Sequence, residues 1–348
     1  MILQILSVRG NGKTFTPSSI SNKMKLASLL SISVFVAVLG LDSALAVTPE
    51  EFAEAAGEKA ASVEGVRNSV DGAAKGWKFL DKELRHLASE GGDPSEIIVQ
   101  YDKELKALGV RMILVPVPAK ANVYPEKFMS GADASSVTPN ESLLKKLAEA
   151  GVEVVDLEPV FAKLKEEDAD KLLYCAQDSH WSPYACEVVA DILVGKIGDA
   201  EWLAKDDSIK IGEVASAKFH GDLLSDEEKS SWPMEELPMR KVKQDGERIE
   251  LNPDSPVLLV GDSHTLVFSD GGDMHTMSGG ITDHLMGRLG IAIDRMASRA
   301  SGAHTARVDI ARRAVADKEM WGKKKVFIWC FSAREFSLGT WRKLPAQP

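Results

Sequence analysis

The sequence has little cysteine: Cys175, Cys186 and Cys330 are the three thiols in 348 residues. That excludes a disulfide framework, because three cysteines form at most one bridge and leave one thiol over. Cys175 and Cys186 leave two readings open, a staple across the short segment between them or two buried free thiols. Basic residues are also scarce relative to acidic ones, 42 Lys and Arg against 52 Asp and Glu, for a formal charge of −10. A chain of that sign lacks the electrostatic footprint of a nucleic-acid binder, so nucleic acid is excluded as a partner. No internal repeat is present, which excludes a solenoid.

What is present starts with an export signal. Arg9, Lys13, Lys23 and Lys25 precede the apolar run Leu26–Leu41, and Ala44-Leu45-Ala46 offers a small-x-small cleavage site, the layout of a secretory signal peptide over residues 1–46. The 16-residue run is short for a bilayer span of about 20, which favours cleavage over an N-terminal membrane anchor. Met24 followed by Lys25 and the apolar run would make an equally complete signal. Removing residues 1–46 takes away four basic residues and one acidic residue and leaves −13. Either start gives an exported protein.

Beyond the signal, residues 47–75 are rich in Ala, Gly and Glu and read as a helical or flexible leader, with the folded domain spanning 76–348. From Gly76 onward strand and helix alternate. Gly76–Leu80 and Val110–Pro118 read as strands, and Asp93-Pro94 opens a helix between them. A helix over Glu141–Gly151, a strand over Val152–Leu157 and a helix from Pro159 follow. Ser182 caps a helix whose apolar face is Ala185, Val188, Val189, Ile192 and Leu193. Residues 200–251 are polar and read as an insertion over the surface. Pro256–Val260 and Lys324–Ser332 are buried strands, with helices at "ITDHLMGRLG" and Thr305–Lys318 between them. Continuous apolar strands between amphipathic helices predict an α/β fold, a parallel sheet covered on both faces.

Ligand sites in open α/β sheets lie past the carboxyl ends of strands, which is where "GDSHT" (Gly261–Thr265) falls. A serine there becomes a nucleophile when a histidine takes its proton and a carboxylate holds that histidine in the right tautomer. "YCAQDSHWSP" (Tyr174–Pro183) supplies such a pair, Asp178 and His180, which share one side of an extended segment with Ser179 turned away. Trp181 and the helix cap at Ser182 would make the mounting rigid. His264, His275, His284 and His304 read as surface or capping residues, since neighbours on a turn diverge.

"VGDSHT" resembles the nucleophile block of the SGNH (GDSL-like) hydrolases, whose usual order puts Ser first and a D-x-x-H block near the C-terminus. Here His180 precedes Ser263 by 83 residues, and the block reads D-S-H-W. That order resembles the alginate O-acetyltransferase-like branch of exopolysaccharide export, with a circularly permuted SGNH-hydrolase-like (flavodoxin-like) domain and a D-x-H-W block. "GWKFL", "VPVPAKANVYPEKF" (Val115–Phe128), "FHGDLLS" (Phe219–Ser225) and "FIWCFSAREF" (Phe327–Phe336) look like the same branch.

The resemblance implies an exported O-acetyltransferase acting through an acyl-enzyme, with Ser263 as nucleophile, His180 as base and Asp178 as its orienter. The oxyanion falls to the backbone N–H of Ser263 and to the pair Gly279-Gly280, where a missing side chain lets backbone approach. Trp181 and Arg334 are candidates to line a sugar cleft. The resemblance implies a periplasmic location, free or tethered to the inner membrane, and as partners a polysaccharide acceptor, an acetyl donor supplied by a membrane acetyltransferase, and an exopolysaccharide-export complex. No cofactor and no metal are expected. A polyuronate would need a basic cleft around Arg295, Arg299 and Arg334 to offset the field of the whole chain.

A carbohydrate O-acetyl esterase would use the same residues with water as acceptor. A metal-dependent phosphoesterase is the competitor from another class, on Asp178, His180, Gly221-Asp222 and "GDSH", although no histidine-rich block stands near the C-terminus. A non-catalytic polysaccharide-binding protein of the same fold is the third.

Overall fold

The computed structural model describes residues 46–65, 68–89, 91–137, 140–299 and 302–347. The segment read as a signal, up to residue 45, lies outside them. Among the described residues no helix is long and apolar enough to cross a membrane.

The strands, in chain order, are β1 (Ser69–Asp71), β2 (Lys78–Leu80), β3 (Arg111–Val117), β4 (Glu153–Val154), β5 (Ile209–Phe219), β6 (Glu235–Gln244), β7 (Val257–Gly261), β8 (Asp270–Gly271), β9 (Met274–Met277), β10 (Asp294–Ala297) and β11 (Val326–Ser332). Five of them form one all-parallel sheet in the order β10-β7-β11-β3-β4. The apolar runs are continuous, as a sheet buried on both faces requires, and successive residues point to opposite faces. Val257, Leu259, Ile328, Cys330, Ile113 and Val115 enter one core. Leu258, Val260, Phe327, Trp329, Met112 and Leu114 enter the other.

Helices cover each face. On the first lie Glu158–Glu167, Pro183–Ile197 and Ile281–Leu289, and on the second Ser95–Ala107, Glu141–Glu149 and Ala303–Ala316. Local signals set their ends. Ser182 Oγ accepts the Ala185 N–H at 3.1 Å, Pro183 follows in the first turn, and Gly290 closes the helix Ile281–Leu289 in the left-handed conformation. The sheet and its flanking helices match the expectation, while β4 is shorter than the six residues assigned from sequence.

Three expectations need correction. Residues 47–75 are helical in part, as one of the two readings had it, but they pack into the folded chain: Thr48 caps the helix Pro49–Ser62, which buries Phe52, Ala56 and Ala60 in a third apolar cluster with Val70 and Phe79. Folded chain therefore begins before Gly76, and "GWKFL" pairs antiparallel with β1 outside the main sheet. Residues 200–251 are not an irregular insertion. They contain the long antiparallel ribbon β5–β6, whose Leu237, Met239 and Val242 enter the first core. A ribbon with one solvated face intersperses its core residues with polar and charged ones, and its composition reads as polar. Finally, the edge strand β10, which begins with Asp294 and Arg295, has no apolar run to mark it and was not expected.

Candidate active site

The carboxyl ends of β3, β7 and β11 meet at one place, and two loops of the same tripeptide close on it. Asp178-Ser179-His180 and Asp262-Ser263-His264 fold alike. In each, the aspartate Oδ1 accepts the histidine backbone N–H, at 3.0 and 2.9 Å, and faces that histidine's Nδ1, at 2.6 and 3.0 Å. The two turns abut: the rings of His180 and His264 meet edge to face at 5.1 Å, and Trp181 Nε1 donates to His264 O at 3.0 Å.

The first turn sits in a loop pinned from all sides. Tyr174 bridges to Trp181, and Cys175 N–H donates to His180 O at 3.2 Å. Glu235, at the start of β6, accepts the Ala176 and Gln177 N–H groups at 2.6 and 3.0 Å. Lys120, just past β3 and fully buried, donates to Lys78 O, Ala176 O and Asp178 O at 2.7, 2.8 and 3.0 Å. Three acceptors use all three protons of an ammonium.

The stretch after β5 completes the cage. Asp222 N–H donates to Asp178 Oδ2 at 2.7 Å, and the Asp222 carboxylate accepts Ser179 N–H and Oγ–H, both at 2.7 Å. Gly221 makes this approach possible: a Cβ there would stand 2.0 Å from Gln177 O. His275 Nε2 reaches the same Asp178 Oδ2 at 2.8 Å.

Asp178 thus faces four N–H groups, two on each oxygen, the full capacity of a carboxylate. Burial alone would raise its carboxyl, but the His180 charge and the hydrogen bonds from His180 and His275 hold it well below the usual range. Burial lowers the His180 imidazolium, and the neighbouring Asp178, Asp222 and Asp262 charges outweigh that and push it up to about 9. With Nδ1 committed to Asp178, Nε2 is the nitrogen left for substrate chemistry. The pair forms through a side-chain-to-backbone turn rather than the extended segment expected from sequence.

Ser263 follows β7 directly, in a turn capped by Asp262, and is half-buried. Asp262 Oδ2 accepts the Ser332 N–H at 2.9 Å, tying the turn to the end of β11. Gly261 lets the strands close, since a Cβ there would meet Cys330 O at 2.3 Å. Ser263 and His180 come to abutting turns, without a hydrogen bond between them.

Other expected residues are placed differently. Gly279 N–H donates to Phe268 O at 2.8 Å and Gly280 N–H to Asp283 Oδ2 at 3.1 Å, so both amides are spent and neither serves an oxyanion. Trp181 is 0% exposed and cannot stack on a sugar. Arg334 donates to Ser332 Oγ at 3.0 Å and lines a cavity of about 480 Å³ with Asp81, Lys82, Arg85 and Glu335. Arg295 and Arg299 are paired with Asp270 and Asp273, which offset their charge locally. The three cysteines are free and buried, so no staple spans the first turn.

Asp178, His180 and Asp222 offer ligand atoms within 4.8 Å of one another. A cation there would have to displace donors from an already saturated Asp178. Lys120, Glu235 and His275 were missed from sequence as members of this site, and Asp222 was placed only in the metal-dependent alternative. Gly221-Asp222 carried a motif signal, whereas His275 arrives from 97 positions away with no local mark.

Comparison with known proteins identifies the domain that carries these residues. The family profile described as "SGNH hydrolase-like domain, acetyltransferase AlgX" matches residues 70–331. The proteins named probable alginate O-acetylase AlgJ from Pseudomonas aeruginosa and Azotobacter vinelandii are each 29% identical, over 43% and 44% of this chain. These matches span 39% and 40% of the relatives' own length. The O-acetyltransferase domain of Pseudomonas putida AlgJ superposes with a TM-score of 0.57 at 21% identity, covering 78% of this chain and 92% of that one. Pseudomonas aeruginosa AlgX gives 0.54 at 18%, covering 76% and 62%. These likenesses place the sheet and its helices in the same fold. The chain belongs to the family of SGNH hydrolase-like, AlgX-type acetyltransferase domains.

Proposed function

We propose that this protein is an exported O-acetyltransferase that acetylates hydroxyls of an alginate-like polysaccharide, with Ser263 as nucleophile, His180 as base and Asp178 as orienter. The observation that carries the reading is the Asp178–His180 pair, locked by four N–H groups and packed against the turn that presents Ser263. Motif order, Asp-His before Ser, is part of it, as is the permuted topology that this order implies. The relatives' name supplies the polymer class.

Ser263 Oγ attacks the carbonyl carbon of an acetyl ester while its proton passes to His180 Nε2. The tetrahedral intermediate collapses, the donor oxygen leaves with that proton, and acetyl-Ser263 remains. A sugar hydroxyl then gives its proton to His180, its oxygen attacks the acyl carbon, and Ser263 recovers its hydrogen. Asp178 stabilises the imidazolium in both halves. The Ser263 N–H is the oxyanion donor left once the glycine pair is set aside. The donor is supplied from a membrane acetyltransferase on the periplasmic side.

The test is incubation of the purified protein with an activated acetyl ester and an alginate-like oligosaccharide, reading acetyl on the glycan against free acetate. Transfer that disappears in Ser263→Ala supports the reading. Free acetate alone means an esterase, and activity that survives in Ser263→Ala but is lost to a chelator means the metal-dependent alternative.

A further inference from the structure

His275 belongs to no motif and sits on a hairpin far from both Asp-Ser-His turns in sequence. Its side chain is 7% exposed, and its Nε2 meets Asp178 Oδ2 at 2.8 Å, on the carboxylate edge opposite His180. Two aromatic rings pack against it, Phe219 stacked with centroids 4.1 Å apart and Phe268 tilted at 5.5 Å, and these two rings also meet each other at 5.4 Å. Phe219 closes β5 and leads through His220 and Gly221 to Asp222, whose N–H is the other donor to Asp178 Oδ2.

The backbone is bent to bring the ring there. His275 has φ of 69°, Phe268 of 60° and Ser278 of 68°, three non-glycine residues in left-handed conformation within one short stretch. Such residues are uncommon, and their clustering marks a place where the surroundings hold strain for a purpose. A surface or capping histidine would need neither the strain nor the aromatic packing.

We propose that His275 is a positioning residue for the acyl transfer, its Nε2–H fixing the Asp178 carboxylate so that Oδ1 faces His180 Nδ1. The arrangement is a histidine–aspartate–histidine chain with unequal ends. The His180 end is open to the Ser263 turn through Nε2, and the His275 end is sealed by aromatic rings. A carboxylate held at one oxygen alone can swing about its Cβ–Cγ bond. With Asp222 N–H and His275 Nε2–H on the second oxygen, that rotation is blocked. The second imidazole N–H also draws charge from Asp178, which keeps the shared proton on His180. The other charged groups facing Asp178 are Asp222, Glu235 and Lys120, and Asp273 lies beside His275.

The inference rests on the Ser263 reading, and its test separates the two. His275→Phe keeps the ring stack and removes the N–H, and His275→Gln restores a donor. Acetylation of Ser263 by an activated ester is followed by intact mass in wild type and both variants. The Nδ1–H resonance of His180 is recorded on the same samples. The expected outcome is a fall in acetylation rate of about 10- to 100-fold in His275→Phe with KM unchanged, the scale of a misplaced catalytic group. Recovery in His275→Gln and a displaced His180 resonance in the Phe variant alone accompany it. An unchanged rate and resonance in His275→Phe overturns the proposal, as does a Gln variant no better than Phe. A wild type that is never acetylated sinks the Ser263 reading, and the His180 resonance then still decides whether His275 positions Asp178.

Discussion

Replacing Lys120 by Met tests whether the loop that carries Asp178 is held from beneath. Lys120 Nζ donates to Lys78 O, Ala176 O and Asp178 O, and it is fully buried. Ala176 O also accepts the Lys78 N–H, so it keeps a partner in the variant. Among the described residues Asp178 O has no other donor and is orphaned. Two bonds at about 1 kcal/mol each and one orphaned buried carbonyl at about 1–3 kcal/mol give a loss of roughly 3–5 kcal/mol. Methionine fills much of the stem volume, so the cavity term is small. For a domain of this size that is a fall in Tm of roughly 6–20 °C. The melt is followed by circular dichroism, and the rate on an activated acetyl ester is read well below it. With the Asp178 carbonyl released, the rate falls at least about 10-fold in protein that is still folded. A Tm within 2 °C of wild type (about 1 kcal/mol or less) together with an unchanged rate refutes the reasoning.

Three further outcomes follow from the same geometry. Gly221→Ala places a Cβ 2.0 Å from Gln177 O, so the Asp222 loop is pushed off Asp178; urea unfolding should show a loss of about 1–3 kcal/mol, and activity should fall. The His180 imidazolium, pushed up to about 9 by Asp178, must lose its proton to act as base, so kcat/KM rises with pH up to about 9. Its stabilising contribution has the sign of a raised group, present in full below the ordinary 6.5 and lost as pH rises through about 9. Asp178→Asn removes the cause, moves the midpoint down and costs on the order of 10⁴ in rate; a profile with the wild-type midpoint in that variant contradicts the assignment. Burial pushes the thiols of Cys175, Cys186 and Cys330 well up, so an alkylating reagent should label them after unfolding and leave the native protein unlabelled, as read by intact mass.

The sheet was legible because its strands are buried on both faces: "PVLLV" and "KVFIWCFS" need no partner to be recognised. Helix starts were legible through Ser182-Pro183 and Asp93-Pro94, where capping is local chemistry. The ribbon β5–β6 was not, since its core residues are interspersed with polar, charged and proline positions and only the packed structure shows which side is buried. In the site, Asp178 and His180 could be paired from two positions of separation because the turn that joins them is local. Ser263 could be placed at a strand end by topology alone. Lys120, Glu235 and His275 act across the fold, reaching Asp178 or its neighbours from 58, 59 and 97 positions away. The glycine pair misled for a related reason. Gly279 is small because Met239 packs where its Cβ would be, at 2.4 Å, and its amide is committed to the backbone.

The central claim is that the hydroxyl of Ser263, presented beside the Asp178–His180 pair, carries the acetyl group. Brief exposure to an activated acetyl ester, acid quench and peptide mapping by mass spectrometry reads this directly. The account predicts one added acetyl group on the peptide that contains Ser263, absent in Ser263→Ala and strongly reduced in His180→Ala. An acetyl group on another residue, or equal labelling of wild type and Ser263→Ala, would contradict it.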